Sequence, residues 1–195
     1  MLIYDCEIIK AIPPKVAAMR LPDIEYCLGW EDLTGMGISV IGAYDYEEDR
    51  YRVFCEDNFD EFQALVEHHD RIVGFNSLKF DNRLCAANGL MVPDEKSYDL
   101  LVEIWLAAGL GPHFVYPTHI GYGLDACAAA NFAEHKTGNG ALAPIHWQHG
   151  QTGKVIDYCL QDVRLTKRLL DLVLHNGNII NPKDFAQTLT VARPQ

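Results

Sequence analysis

No stretch of this 195-residue sequence is long and apolar enough to cross a bilayer. No two cysteines form a C-x-x-C pair; the six (Cys6, Cys27, Cys55, Cys85, Cys127 and Cys159) are scattered, most of them in apolar stretches. That argues against a disulfide framework and for buried, reduced thiols in a cytoplasmic protein. Positive charge is also scarce: 16 Lys and Arg stand against 27 Asp and Glu, for a net charge of -11. Such a chain is not built to grip nucleic acid by bulk electrostatics. An enzyme that meets phosphates through metal ions remains open, because clustered acidic ligands add to the negative count. No basic segment precedes the first apolar run, so no secretory leader is expected. Repeats and low-complexity segments are absent, and 49% of the residues are hydrophobic. One core and one domain over residues 1–195 are expected.

The most informative stretch is Leu2-Ile3-Tyr4-Asp5-Cys6-Glu7-Ile8-Ile9. Its apolar residues suit a buried strand, and its two carboxylates do not. Side chains alternate along a strand, so Asp5 and Glu7 share a face. Like charges side by side in a buried strand repel and lose water. A hard divalent cation such as Mg²⁺, which takes oxygen ligands, is the simplest compensation.

Residues 10–31 contain Pro13, Pro14 and Pro22 and read as irregular. Residues 37–44 and 51–55, joined by a charged link, read as a β-hairpin. A helix is expected from about Asp57 to His69, a short strand over 71–75, and a helix from about Phe80 to Ala87 that ends at Asn88-Gly89. Residues 97–108 suit a strand, a helix or both, 109–118 a loop, 123–132 a helix, and 137–140 a turn-rich loop. The strongest helix runs over 153–175, where apolar residues from Val155 to Val173 recur at helical spacing. The last twenty residues are weakly patterned. Strands followed by alternating helices and strands give an α/β domain with a mixed sheet.

Three further features carry chemistry. Asp81 follows Asn76 where a strand turns into a helix; a first-turn acid is also a common helix cap. Tyr158 and Asp162, four apart on the long helix, project from one face; a packing Tyr and a solvated Asp are the plain alternatives. Arg164 is the cation nearest to them in sequence. His113, His119, His135, His146 and His149 cluster in sequence without paired zinc spacing. Residues 150–154 lack the spacing of a phosphate loop. Lys136 and Lys154 are either phosphate contacts or solvated surface.

Taken in order, Asp-x-Glu on the first strand, Asn-x-x-x-Phe-Asp after a middle strand and Tyr-x-x-x-Asp on a late helix resemble the DEDD exonuclease superfamily. The likeness is to its tyrosine-bearing branch, and especially to the proofreading domains of family-B DNA polymerases and stand-alone relatives. In the histidine-bearing branch a His stands five residues before the last Asp; here that position is Asp157. Ile8 stands where many relatives carry Thr or Ser.

The resemblance implies a ribonuclease-H-like mixed β-sheet flanked by helices. It implies a metal-dependent 3′–5′ exonuclease acting on single-stranded nucleic-acid 3′ ends, alone or within a polymerase or repair complex, and releasing nucleoside monophosphates. Two Mg²⁺ or Mn²⁺ ions about 4 Å apart would serve phosphodiester hydrolysis. By resemblance Asp5, Glu7 and Asp162 hold one, Asp5 bridges to the other, and Asp81 supports that second ion. Tyr158 orients the attacking water; a phenol is a poor base in its own right. Asn76 contacts the substrate strand or braces its loop, and Phe75 and Phe80 are core rather than stacking platforms. The competing expectation is a non-catalytic binding or regulatory subunit that keeps the fold.

Overall fold

The structure is a computed structural model and describes residues 1–136 and 138–195. Thr137, the first residue of the expected 137–140 loop, lies outside the described residues. The five central strands are β1 (Leu2–Ile8), β2 (Ile38–Asp45), β3 (Arg50–Phe54), β4 (Ile72–Gly74) and β5 (Ser97–Asp99), in the spatial order β3-β2-β1-β4-β5. β2 is antiparallel to β1 and β3, whereas β4 and β5 run parallel to β1. The helices are α1 (Leu33–Met36), α2 (Phe59–His68), α3 (Asp81–Ala87), α4 (Leu100–Ala107), α5 (Leu124–Phe132), α6 (Ala143–Gln148) and α7 (Thr152–Asn176). The expected hairpin, the mixed sheet and the long helix are all present.

Strand alternation splits the core in two. Leu2, Tyr4, Cys6 and Ile8 pack with Phe62 and Val66 of α2 and with Leu84 and Cys85 of α3. Ile3, on the other face, joins residues of α4, α5 and α7. α7 lies across that second face, and its approach depends on Gly42. This glycine pairs with Asp5 in the β1–β2 ladder. A Cβ on it would meet the Cys159 sulfur at 2.9 Å and Val163 Cγ2 at 3.3 Å. A missing side chain on β2 thus lets α7 settle over the charged part of β1.

Two elements depart from expectation. Asn178–Asn181 (β6) and Asp184–Thr190 (β7) form an antiparallel hairpin where the sequence shows little pattern. Its turn is Pro182-Lys183, and most of β7 is exposed, so Ile179 and Leu189 are the buried apolar residues of the hairpin. α6 carries Pro144 in its first turn and too few apolar residues to show a helical stripe. Among the described residues, no helix is long and apolar enough to cross a membrane.

Candidate active site

Asp5 and Glu7 lie on the α7 side of β1, as alternation requires. The β1–β2 register shifts between Glu7 and Ile8, and Ser39 Oγ donates to the Ile8 carbonyl at 3.2 Å. Such an irregularity re-aims the strand where Glu7 leaves it. On its other edge β1 pairs with β4 only at Leu2 and Ile3. Beyond that point the backbone N–H of Cys6 needs an acceptor. Asp81 supplies it: its Oδ1 accepts from Cys6 N at 3.1 Å, which places a third carboxylate beside the other two. The next residue, Asn82, fastens α3 to β1, its Oδ1 accepting from the buried Tyr4 hydroxyl at 2.6 Å. Asp162 comes from α7 and is buried.

Asp5, Glu7, Asp81 and Asp162 line one cavity of about 800 Å³, together with Asn76. Asn76 has a left-handed backbone (φ 67°), and its loop is held by Asp99, whose carboxylate accepts from Asn76 N at 2.8 Å and Leu78 N at 3.1 Å. Phe75 and Phe80 line the cavity while packing against the core. Tyr158 stands in an adjoining recess with Gly138 and Gly140, and Lys136 lines both cavities. A Cβ on Gly138 would meet the Tyr158 ring at 2.6 Å, so the loop reaches the tyrosine only because that residue is glycine. The structure therefore brings together every side chain proposed for the site.

Of the two lysines weighed as phosphate contacts, one reaches the site. The Lys136 ammonium bonds Asp162 Oδ2 and lies 4.9 Å from the centre of the Tyr158 ring, in contact with its hydroxyl. Arg164, the cation nearest in sequence, faces Glu134 instead, at 3.7 Å. Lys154 donates to Gln151 at 3.0 Å and does not line the cavity. Four of the five clustered histidines go to separate partners: His135 faces Asp125, His146 faces Gln151, His149 faces Asp23, and the buried His119 contacts the Gly111 carbonyl.

The electrostatics suit a divalent cation. Burial, then the charges of Asp162 and Asp81, raise the Asp5 carboxyl far above the usual range. Burial and Asp5 do the same to Glu7. Burial, then Cys85, raises Asp81 despite the Cys6 N–H. Asp162 is raised by burial against the opposing pull of Lys136, and its Oδ1 has no hydrogen-bond partner among the described residues. The Cys159 sulfur lies 3.7 Å from Asp5 Oδ2, and ligand atoms of Asp5, Glu7 and Cys159 fall within a span of 4.8 Å; burial raises the thiol well above normal. The carboxylate oxygens suit Mg²⁺ or Mn²⁺.

These shifts predict a pH dependence. A carboxyl whose pKa is raised on folding stabilises fully below its unfolded value of about 4, and that contribution is lost as pH rises through the folded value. In the presence of a chelator, the melting temperature should fall as pH climbs from about 4 toward neutrality. Mg²⁺ should restore most of the loss at the upper end, and Asp5→Asn should flatten the chelated profile. A wild-type profile that is flat in chelator and indifferent to Mg²⁺ would contradict the assignment of these carboxylates to a cation site.

The sequence matches no family model and no curated protein. Among solved structures, the family B DNA polymerase from the hyperthermophilic archaeon Pyrobaculum calidifontis superposes with a TM-score of 0.59 at 18% identity. The match covers 89% of this chain and 24% of the polymerase chain. The fold is ribonuclease-H-like. In it the acidic cavity sits over the central strand, between α3 and α7.

Sequence reasoning missed Lys136 as a site residue fixed on Asp162, and it missed Asp99 as the brace of the Asn76 loop. It also missed the aromatic wall. Trp30, Trp105 and Phe114 line the acidic cavity, and Trp30 meets Phe80 edge-on at 6.4 Å. Trp30 and Phe114 come from segments without periodicity, so nothing local marked them.

Proposed function

We propose that this chain is a metal-dependent 3′–5′ exonuclease that trims single-stranded nucleic-acid ends and releases nucleoside monophosphates. The observation that carries this reading is the convergence of Asp5, Glu7, Asp81 and Asp162, from one strand and two helices, on one cavity with Tyr158 at its edge. Asp5, Glu7 and Asp162 would hold one Mg²⁺ or Mn²⁺ ion, and Asp5 and Asp81 would hold a second. When bound, such ions activate water and stabilise charge on the phosphate and the leaving oxygen.

The chain's own groups do the rest. Tyr158 keeps its proton, because burial and then the Asp162 charge raise its pKa. It therefore orients the attacking water as a neutral hydrogen-bonding hydroxyl and does not act as a base. Lys136 neutralises Asp162 in the absence of other cations. Lys136 lines both cavities, so its ammonium would also serve a substrate phosphate. Phe114 with Lys79 5.3 Å from its ring, and exposed Trp30, give the cavity aromatic and cationic walls. Unpaired bases stack on such walls, whereas a duplex keeps its bases stacked within itself. This favours a single-stranded end, which the chain meets alone or as part of a polymerase or repair complex.

The test is digestion of single- and double-stranded DNA and RNA labelled at the 5′ end, with and without Mg²⁺ or Mn²⁺. The expected result is a ladder that shortens from the 3′ end of single strands only when metal is present, with mononucleotide products. Metal-independent binding without cleavage would instead favour a non-catalytic subunit.

A further inference from the structure

Another group of ligating side chains lies away from the acidic cavity, and none of its members line it. His68 ends α2 and His69 caps it; Glu47 sits in the β2–β3 turn, and Asp45 ends β2 opposite Leu2. We propose that Glu47, His68 and His69 form a zinc site, oriented by Asp45, that ties α2 and the β2–β3 turn to the start of β1. The proposal does not depend on the exonuclease reading.

The donor atoms already converge. Glu47 Oε2 is 3.0 Å from His68 Nε2, and Glu47 Oε1 is 3.1 Å from His69 Nδ1. One ligand atom from each residue falls within a common span of 4.8 Å. At zinc–ligand bonds of about 2.0–2.1 Å, tetrahedral donors stand about 3.3 Å apart, so small adjustments suffice. The two imidazoles are inclined by 70°, with centroids 5.1 Å apart, so they are not stacked. Two imidazole nitrogens and one carboxylate make a borderline donor set that suits Zn²⁺ and leaves a position for water.

A metal-bound imidazole usually hands its other N–H to a carboxylate. His69 is fully buried, and Asp45 Oδ1 lies 3.2 Å from its Nε2. The contact lacks hydrogen-bond geometry, so that nitrogen has no partner among the described residues. A slight rotation of the ring completes the carboxylate–histidine–metal chain. Asp45 is itself fixed by the backbone N–H groups of Glu47 and Glu48, at 2.9 and 3.4 Å. Two carboxylates thus surround two imidazoles. The Met1 amine nitrogen lies 3.0 Å from His69 Nδ1, where zinc would displace it.

Zn²⁺ binding measured by competition with a chromophoric chelator, in excess Mg²⁺ to occupy the oxygen-lined cavity, tests the site. Wild-type and Asp5→Asn chains should each hold about one equivalent of Zn²⁺. His68→Gln and Glu47→Gln should lose it, and Asp45→Asn should bind about 10- to 100-fold more weakly. Both ligand positions substituted are exposed, so each variant should melt like wild type without zinc. Co²⁺ in place of zinc should give the intense visible bands of a tetrahedral site. No bound zinc in excess Mg²⁺, or undiminished binding by both His68→Gln and Glu47→Gln, would overturn the proposal. So would loss of binding in Asp5→Asn, which would move the ion to the acidic cavity.

Discussion

Replacing Asp5 by Asn should abolish hydrolysis while making the metal-free chain more stable. The two effects share one cause. Asp5 faces Asp162 and Asp81 from within the core, and its carboxyl is raised by burial and by both neighbours. Asparagine keeps the shape and removes the charge, so repulsion among the remaining carboxylates falls. Under the proposed function, the same change removes the group that would hold both ions. The expected loss in turnover is on the order of 1000-fold or more, about 4 kcal/mol of transition-state stabilisation. Single-turnover cleavage and thermal melting in chelator check the two halves. A stabilised and fully active variant would remove Asp5 from the chemistry. An inactive variant that melts lower would mean that Asp5 holds the fold together.

The same logic explains what could be read before any coordinates. The β1 stretch was legible because it breaks a rule: charged residues in a run that otherwise demands burial. The long helix showed itself by period, with Val155, Cys159, Val163, Leu169, Leu170 and Val173 all on its buried side. Asp81 and Asp162 were legible only as members of an ordered set, since each alone passes for a cap or a solvated acid.

What stayed hidden depends on contacts distant in sequence. Lys136 reaches Asp162 across 26 residues, carried by a loop whose glycines clear the Tyr158 ring. Asp99 braces Asn76 from a different strand. The role of Gly42, opposite Asp5 and under Cys159, appears only once α7 is laid on the sheet. The β6–β7 hairpin buries too few side chains to write a period-two pattern. His68 and His69 drew no notice because their partner, Glu47, belongs to a turn more than twenty residues upstream. Of the histidines that did stand out, His119, His135, His146 and His149 go to separate partners.

Tyr158→Phe should lower turnover by about 10- to 1000-fold, or 1 to 4 kcal/mol, and leave metal binding and substrate affinity nearly unchanged. The ring packs against Gly138 and lies under the Lys136 ammonium, and phenylalanine preserves both contacts. Only the hydroxyl is lost, and with it the group placed to orient water beside Asp162. Asp162→Asn should behave differently. It removes an oxygen ligand and the partner of Lys136, so the apparent metal affinity should fall, and extra Mn²⁺ should recover part of the rate. Single-turnover rates at saturating metal separate the two variants: the Tyr158→Phe deficit persists there, and the Asp162→Asn deficit shrinks. If Tyr158 only fills space, the Phe variant should match wild type, because a shape-conserving change in a packed site is well tolerated. A match at saturating metal would leave catalysis to the carboxylates and Lys136. A persistent deficit places the phenolic hydroxyl at the reacting water.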